Sequence, residues 1–278
     1  MISKGVLQFV FVGLMALHLG ACSGGGDDGS NGDGGSAGGQ GNGPTPSQPD
    51  PVADQNAEGL WIGETDTGMS INGLVLDDGQ MYILYFDPED EWGENVPIMP
   101  GFIHGYTTVN GDEFSATSIK DYAFEANEVF SGSVSAVISE EASLVGEIDY
   151  VGGNSVAFSA SYDTAYERSP FIGDMEGEFE GTAYIVDGWA SASISVESTG
   201  AFAGASLNGC EVSGVIYERG SGNVYNAEIT FGADPCIMPN ETLSGIVYFD
   251  SGYFYMAAAH QDQTNAILFL AKRPGLED

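Results

Sequence analysis

Between residues 61 and 245, bulky apolar residues are repeatedly followed two positions later by glycine. Seven such places are Trp61-Ile62-Gly63, Phe130-Ser131-Gly132, Leu144-Val145-Gly146, Phe179-Glu180-Gly181, Phe202-Ala203-Gly204, Val212-Ser213-Gly214 and Leu243-Ser244-Gly245. In a strand, positions two apart share a face. Each large side chain therefore sits beside a gap, where the strand can bend or a neighbour can approach closely. Strongly curved sheets and small barrels need such places. The surrounding sequence carries the matching signals: apolar alternation, enrichment in Tyr, Val, Ile and Phe, and glycine-rich turns at regular intervals. Ser70 to Leu76, the turn Asp77-Asp78-Gly79 and Met81 to Phe86 read as a hairpin. Val109-Asn110-Gly111-Asp112 and Val151-Gly152-Gly153-Asn154 read as further turns. One brief helix is expected over Ser169 to Met175, with Ser169 as its cap and Pro170 as its first residue.

The N-terminus has three parts: a basic start at Lys4, an apolar run from Val6 to Leu19, and small residues at Gly20-Ala21. The run has the length of a signal-peptide core and is short for a bilayer-spanning helix. Leu19-Gly20-Ala21-Cys22 resembles the lipobox of bacterial lipoproteins. That resemblance implies that residues 1–21 are removed and that Cys22 becomes an acylated first residue. Ser23, in place of aspartate, implies by the same likeness the outer membrane, on its periplasmic face or at the cell surface. Several acyl chains anchor firmly where one is marginal. Cys210 and Cys236 are then an even pair in an oxidising compartment and are expected to form a disulfide. Two thiols without nearby histidines fall short of a zinc site. The Gly- and Pro-rich stretch over 23–57 has almost no bulky apolar side chain, so it is expected to be a disordered tether. Asp27, Asp28, Asn31 and Asp33 within it lack EF-hand spacing and read as solvating charge.

An internal repeat joins the glycine pattern. Gly59 to Thr65 lines up with Gly177 to Ala183, and Leu144 to Tyr150 with Leu243 to Phe249. The expected fold is all-β: two tandem antiparallel β-barrel-like lobes, or sandwich lobes, after the disordered linker. The first spans 58–162, a connector with the short helix 163–176, and the second 177–274. The lipobox, the Gly-rich leash and strands opening with Gly59-Leu60-Trp61-Ile62-Gly63 resemble the Gram-negative surface lipoproteins of the transferrin-binding-protein and factor-H-binding-protein group. The likeness implies β-barrel lobes and capture of host proteins through variable loops. It carries over no functional residue.

The chain has 41 Asp and Glu against 6 Lys and Arg, a formal net charge of −35. Recognition of a phosphate backbone needs a basic surface, so nucleic acid is excluded as a partner. Anionic lipid heads are disfavoured too. The densest acidic stretch, Asp87-Pro88-Glu89-Asp90-Glu91-Trp92-Gly93-Glu94, reads as a loop. Asp87, Glu89, Asp90 and Glu91 could hold calcium, and Trp92 could stack on a sugar or anchor a protein. The alternative is a solvated, charged turn. Asp250, Glu241 and Asp262 offer no tighter cluster. After the signal peptide the only histidines are His104 and His260, both in β regions and both read as ordinary strand residues. Residues 58–274 contain no Gly-x-Ser-x-Gly elbow, no His-Glu-x-x-His and no phosphate loop. Paired carboxylates could hydrolyse glycosides, but 41 acids single out no pair. The expectation is a non-catalytic outer-membrane lipoprotein, without cofactor or metal, that binds a protein, a glycan or a small apolar ligand. An envelope-assembly protein is the second reading and a glycan hydrolase the third.

Overall fold

The computed structural model describes residues 56–87, 101–250 and 252–275. Strands β1 (Gly59–Thr65), β2 (Ser70–Val75), β3 (Gln80–Phe86), β4 (Gly101–Tyr106), β5 (Thr108–Asn110), β6 (Glu113–Ala123), β7 (Glu128–Ser139), β8 (Ser143–Tyr150) and β9 (Ser155–Asp163) make the first lobe. The second lobe holds β10 (Gly177–Ile185), β11 (Gly188–Val196), β12 (Ala201–Ser206), β13 (Glu211–Glu218), β14 (Val224–Phe231), β15 (Thr242–Asp250), β16 (Tyr253–Ala259) and β17 (Ala266–Lys272). All neighbouring strands pair antiparallel. The second lobe is a closed up-and-down barrel, β17 returning to pair with β10. In the first, β1 pairs with β9, and β4 pairs with β6 to close an eight-strand ring that leaves β5 outside. Strand β6 serves two partners because its register breaks between Ala116 and Ile119. Such a bulge bends the strand, so residues 113–115 pair with β5 and residues 119–123 with β4. Both lobes are barrels, not sandwiches.

The seven glycines explain the closure. At every one, a Cβ would fall 1.8–2.4 Å from a carbonyl oxygen of the neighbouring strand. No real side chain tolerates that distance, so the strands coil this tightly only where the side chain is a hydrogen. The first repeat pair is equivalent in detail. Gly63 on β1 lies against Ser159 and Ala160 of β9, and Gly181 on β10 lies against Leu270 and Ala271 of β17. Each sits at the seam where the opening strand of a barrel meets its closing strand. The second repeat pair is not equivalent: β8 is the seventh strand of its ring and β15 the sixth of its own. The shared Leu-x-Gly there reflects a common need for close approach rather than a common position.

The turns read from the sequence stand at 77–79, 111–112 and 151–153. The helix differs. Residues Ile172–Met175 form a single 3-10 turn whose N-cap is Phe171, with no side-chain cap; Ser169 and Pro170 precede it. A second 3-10 turn, Thr164–Glu167, is capped by Asp163, whose Oδ1 accepts from the Ala165 N–H at 2.8 Å. With glycine at 173 and little apolar periodicity, four residues cannot cover the cost of nucleating an α-helix.

Three apolar cores hold the molecule. One fills the first barrel around Trp61, Ile83, Ile103, Phe114, Val134 and Phe158. Another fills the second around Phe179, Ile194, Phe202, Ile229, Phe254 and Phe269. The third lies between the barrels, where outward-facing Leu74, Tyr82, Leu84, Phe102 and Tyr122 meet Ile246, Tyr248, Ala257, Leu268 and Leu270. Strands at this junction are buried on both faces, as in β17, where all but the last residue are buried. Arg219, its side chain 7% exposed, crosses the junction to Asp77 and Asp78 and donates to Asn226 at 2.6 Å. The barrels are packed as one body. Every described strand and all three cores lie between 57 and 272, so a form starting at residue 23 keeps the whole fold.

Among the described residues, one charged group is buried inside the first barrel. Asp121 is 5% exposed and accepts from the hydroxyls of Tyr85 at 2.6 Å and Tyr150 at 2.8 Å. Desolvation pushes its pKa up, and the two donated hydrogen bonds pull it only part of the way back. The folded state thus binds this proton more tightly than the unfolded chain, whose carboxyl titrates near 3.8. The resulting stability is fully present below that value and is lost as pH rises through the raised folded pKa. Asp121→Asn should therefore gain on the natural protein as pH rises from 4 to 7. Thermal unfolding midpoints of the two, followed across that range, check this; parallel curves contradict it.

Candidate functional site

The second barrel is unevenly filled. Along β10 and β11 the residues that face its interior near one end are Ala183, Ala190 and Ala192, joined by Ser206 from β12. Phe231, Met238, Met256 and Phe269 supply the bulk on the remaining wall. Alanine and serine on one side leave volume that the large side chains do not reach. The result is a cavity of about 200 Å³, open at the barrel end. Four loops surround that end, the connections β10–β11, β12–β13, β14–β15 and β16–β17. Trp189 lines the opening and is 71% exposed, and Ile237 beside the cavity is 47% exposed. Leu207, on the β12–β13 turn, is also exposed. The opposite end is plugged: the Arg273 guanidinium lies 5.4 Å from the Phe179 ring centroid and 5.6 Å from that of Phe249, with Met175 fully buried.

The long β14–β15 loop, residues 232–241, forms part of the cavity wall through Pro235, Ile237 and Met238. Two links hold it down. The Gly232 N–H donates to the Glu211 carbonyl at 2.8 Å, and Cys236 is joined to Cys210 by a disulfide across 26 residues. This is the bridge the two cysteines predict. In the chain-entropy treatment a loop of that length gains about 3.5 kcal/mol from closure. The Cys210→Ala/Cys236→Ala double variant should lose about that much in denaturant unfolding, with faster amide exchange over 233–240. Unchanged exchange there would show that the bridge does not pin the loop.

The other residues singled out in the sequence are placed as follows. Asp87 is described just beyond β3, whereas Glu89, Asp90, Glu91, Trp92 and Cys22 lie outside the described residues. His104 is on β4, its ring 4.6 Å from that of Tyr82 and 5.9 Å from that of Tyr106. Burial pushes its pKa down to about 4, so it is neutral at ordinary pH. His260 departs from the strand reading: it stands one residue past β16, in the turn. There the fold assembles what the sequence did not, because the β14–β15 and β16–β17 loops meet. His260 Nδ1 lies 2.7 Å from Asp262 and Nε2 lies 3.7 Å from Glu241. Its hydrogen bond to Asp262, then the nearby charges, hold its pKa above the usual value. Asp262 in turn is held down to about 2 by the Thr264 backbone N–H and by His260. Asp250 pairs instead with Arg168 at 2.5 Å. Among the described residues no group of three or more His, Cys, Asp or Glu could hold a metal ion. The cavity itself went unread in the sequence, although Ala190-Ser191-Ala192-Ser193 is its signal: small residues at alternate, inward positions cannot fill a barrel of this size.

Fold and site together define a double β-barrel protein with one barrel plugged at its base and open, apolar and disulfide-braced at its mouth. No protein-family profile matches the chain, and no curated protein sequence matches it. Among solved structures it is similar to isotype 1 transferrin binding protein B from serogroup B Neisseria meningitidis. That match has 10% identity, covers 74% of this chain and 66% of that one, and has a TM-score of 0.28. It is also similar to a tryptophan-to-alanine mutant of transferrin binding protein B from Haemophilus parasuis Hp5 (11% identity, 73% and 53% coverage, TM-score 0.27). A third is intact Ap-TbpB with its N and C lobes (10% identity, 74% and 67% coverage, TM-score 0.25). The chain spans 53–66% of the length of the first three structures it matches. A likeness of this size assigns neither ligand nor partner to this chain.

Proposed function

We propose that this protein is a non-catalytic binding module, held to the outer membrane by lipid on Cys22, whose second barrel takes a small apolar ligand at its mouth. The open cavity between Ala183, Ala190 and Ala192 on one side and the Phe231, Met256 and Phe269 wall on the other carries this reading. A volume of about 200 Å³ exceeds the about 150 Å³ that suffices for a benzene ring in an apolar protein cavity. Apolar lining with a few polar groups at the rim is the common form of a small-molecule site. The disulfide supports the reading, since it keeps the wall formed by residues 235–238 in place before any ligand arrives.

The tests separate site from address. A form starting at residue 23 should bind the neutral probe 3-phenylpropanol at one saturable site by calorimetry. Ala192→Leu, which adds volume inside the cavity, should weaken that binding at least tenfold; binding that survives unchanged places the ligand elsewhere. For the anchor, Cys22→Ala in cells should move the protein out of the membrane fraction. Continued retention would contradict lipidation at that residue.

A further inference from the structure

We propose that the second-barrel mouth selects ligands in which the apolar body carries a protonated amine, and rejects carboxylates of the same shape. The inference rests on the reading of this cavity as an apolar ligand site. Asp187 is the single charged side chain among the cavity-lining residues, and Trp189 stands two residues away on the same rim. A carboxylate and an exposed indole on one rim can each attract an ammonium, by charge and by cation–π contact. The wider rim agrees. The four loops at this end contribute Asp187, Asp234, Glu241 and Asp262 and contain no Lys or Arg.

The cations of this half of the chain are gathered at the opposite end. Arg219 follows β13, and Lys272 and Arg273 close β17; Arg168 in the connector reaches Asp250 at the far end of β15. The one basic side chain at the mouth, His260, is already paired with Asp262 and Glu241. An anionic ligand seated in the cavity would therefore bring its charge to an acidic rim with nothing to pair it. A neutral ligand would gain the cavity but not the rim. The mouth thus has two functions in sequence: the apolar pocket sets the size of the body, and the rim sets the sign of the head.

A matched probe series tests this at pH 7 on the form starting at residue 23: 3-phenylpropylammonium, 3-phenylpropanol and 3-phenylpropanoate. The ammonium should bind on the order of tenfold tighter than the alcohol, as one exposed ion pair and one cation–π contact provide. The carboxylate should bind more weakly than the alcohol. The ammonium-to-alcohol ratio should fall toward one in Asp187→Asn and in Trp189→Leu, and should shrink at 1 M salt. Equal affinities for all three probes, or a preference for the carboxylate, would overturn the charge selection while leaving the apolar site intact. Failure of all three to bind would remove the site and the selection together.

Discussion

Gly181→Ala is expected to cost the folded state about 3 kcal/mol or more, against a typical overpacking penalty of 1–3 kcal/mol. A Cβ at this position would stand 1.8 Å from the Leu270 carbonyl oxygen and 2.5 Å from the Ala271 Cα. Both are backbone atoms of β17, so no flexible side chain can swing away. Relief requires the seam of the second barrel to widen, and Gly181↔Ala271 lies within the six residue pairs that hold it closed. The same logic applies at Gly63, where a Cβ would stand 2.0 Å from Ser159 O at the seam of the first barrel. Gly220→Ala is the control, because a Cβ there would meet nothing within 4 Å. Urea unfolding of the three variants decides the matter. Midpoints for Gly181→Ala and Gly220→Ala that agree would mean that the glycines do not close the barrels.

Phe102→Ala should be at least as damaging, by about 3–5 kcal/mol for loss of a buried aromatic ring. Its interest lies in where the loss is felt. Phe102 belongs to a strand of the first barrel but is fully buried in the core between the barrels, its ring 4.9 Å from Tyr122 and 6.3 Å from Tyr82. That core takes Leu268 and Leu270 from the second barrel. Because the two strand sets share it, the substitution should lower the stability of both barrels in one transition. Hydrogen exchange at β7 and at β17 should accelerate together. Acceleration confined to the first barrel would show the lobes to be independent.

The barrels were legible because closure imposes a chemical demand that leaves a mark. Only glycine permits a 1.8–2.4 Å approach at the Cβ position, and all seven positions carry the apolar-x-Gly pattern, which also occurs at open turns such as Val186-Asp187-Gly188. The inter-barrel core left a mark as well, in Met81 to Phe86 and Ala266 to Ala271, which are apolar without alternation. Such runs belong to strands buried on both faces, but read alone Met81 to Phe86 gave one strand of a hairpin and no partner for its outer side. What was not legible depends on loops meeting in space. Glu241 and Asp262 are separated by a complete hairpin, and only the shared barrel end brings them to His260. The cavity is harder still, since it is a deficit: Ala183, Ala190 and Ala192 matter for what they fail to fill. Asp187 and Trp189 acquire meaning only once that space lies beneath them.

The account depends on the second barrel keeping an accessible apolar room, and crystals of the form starting at residue 23 pressurised with xenon test that directly. Xenon binds in apolar cavities. One site should appear between Ala192, Met256 and Phe269. A wall collapsed onto Ala183 with no xenon bound would contradict it.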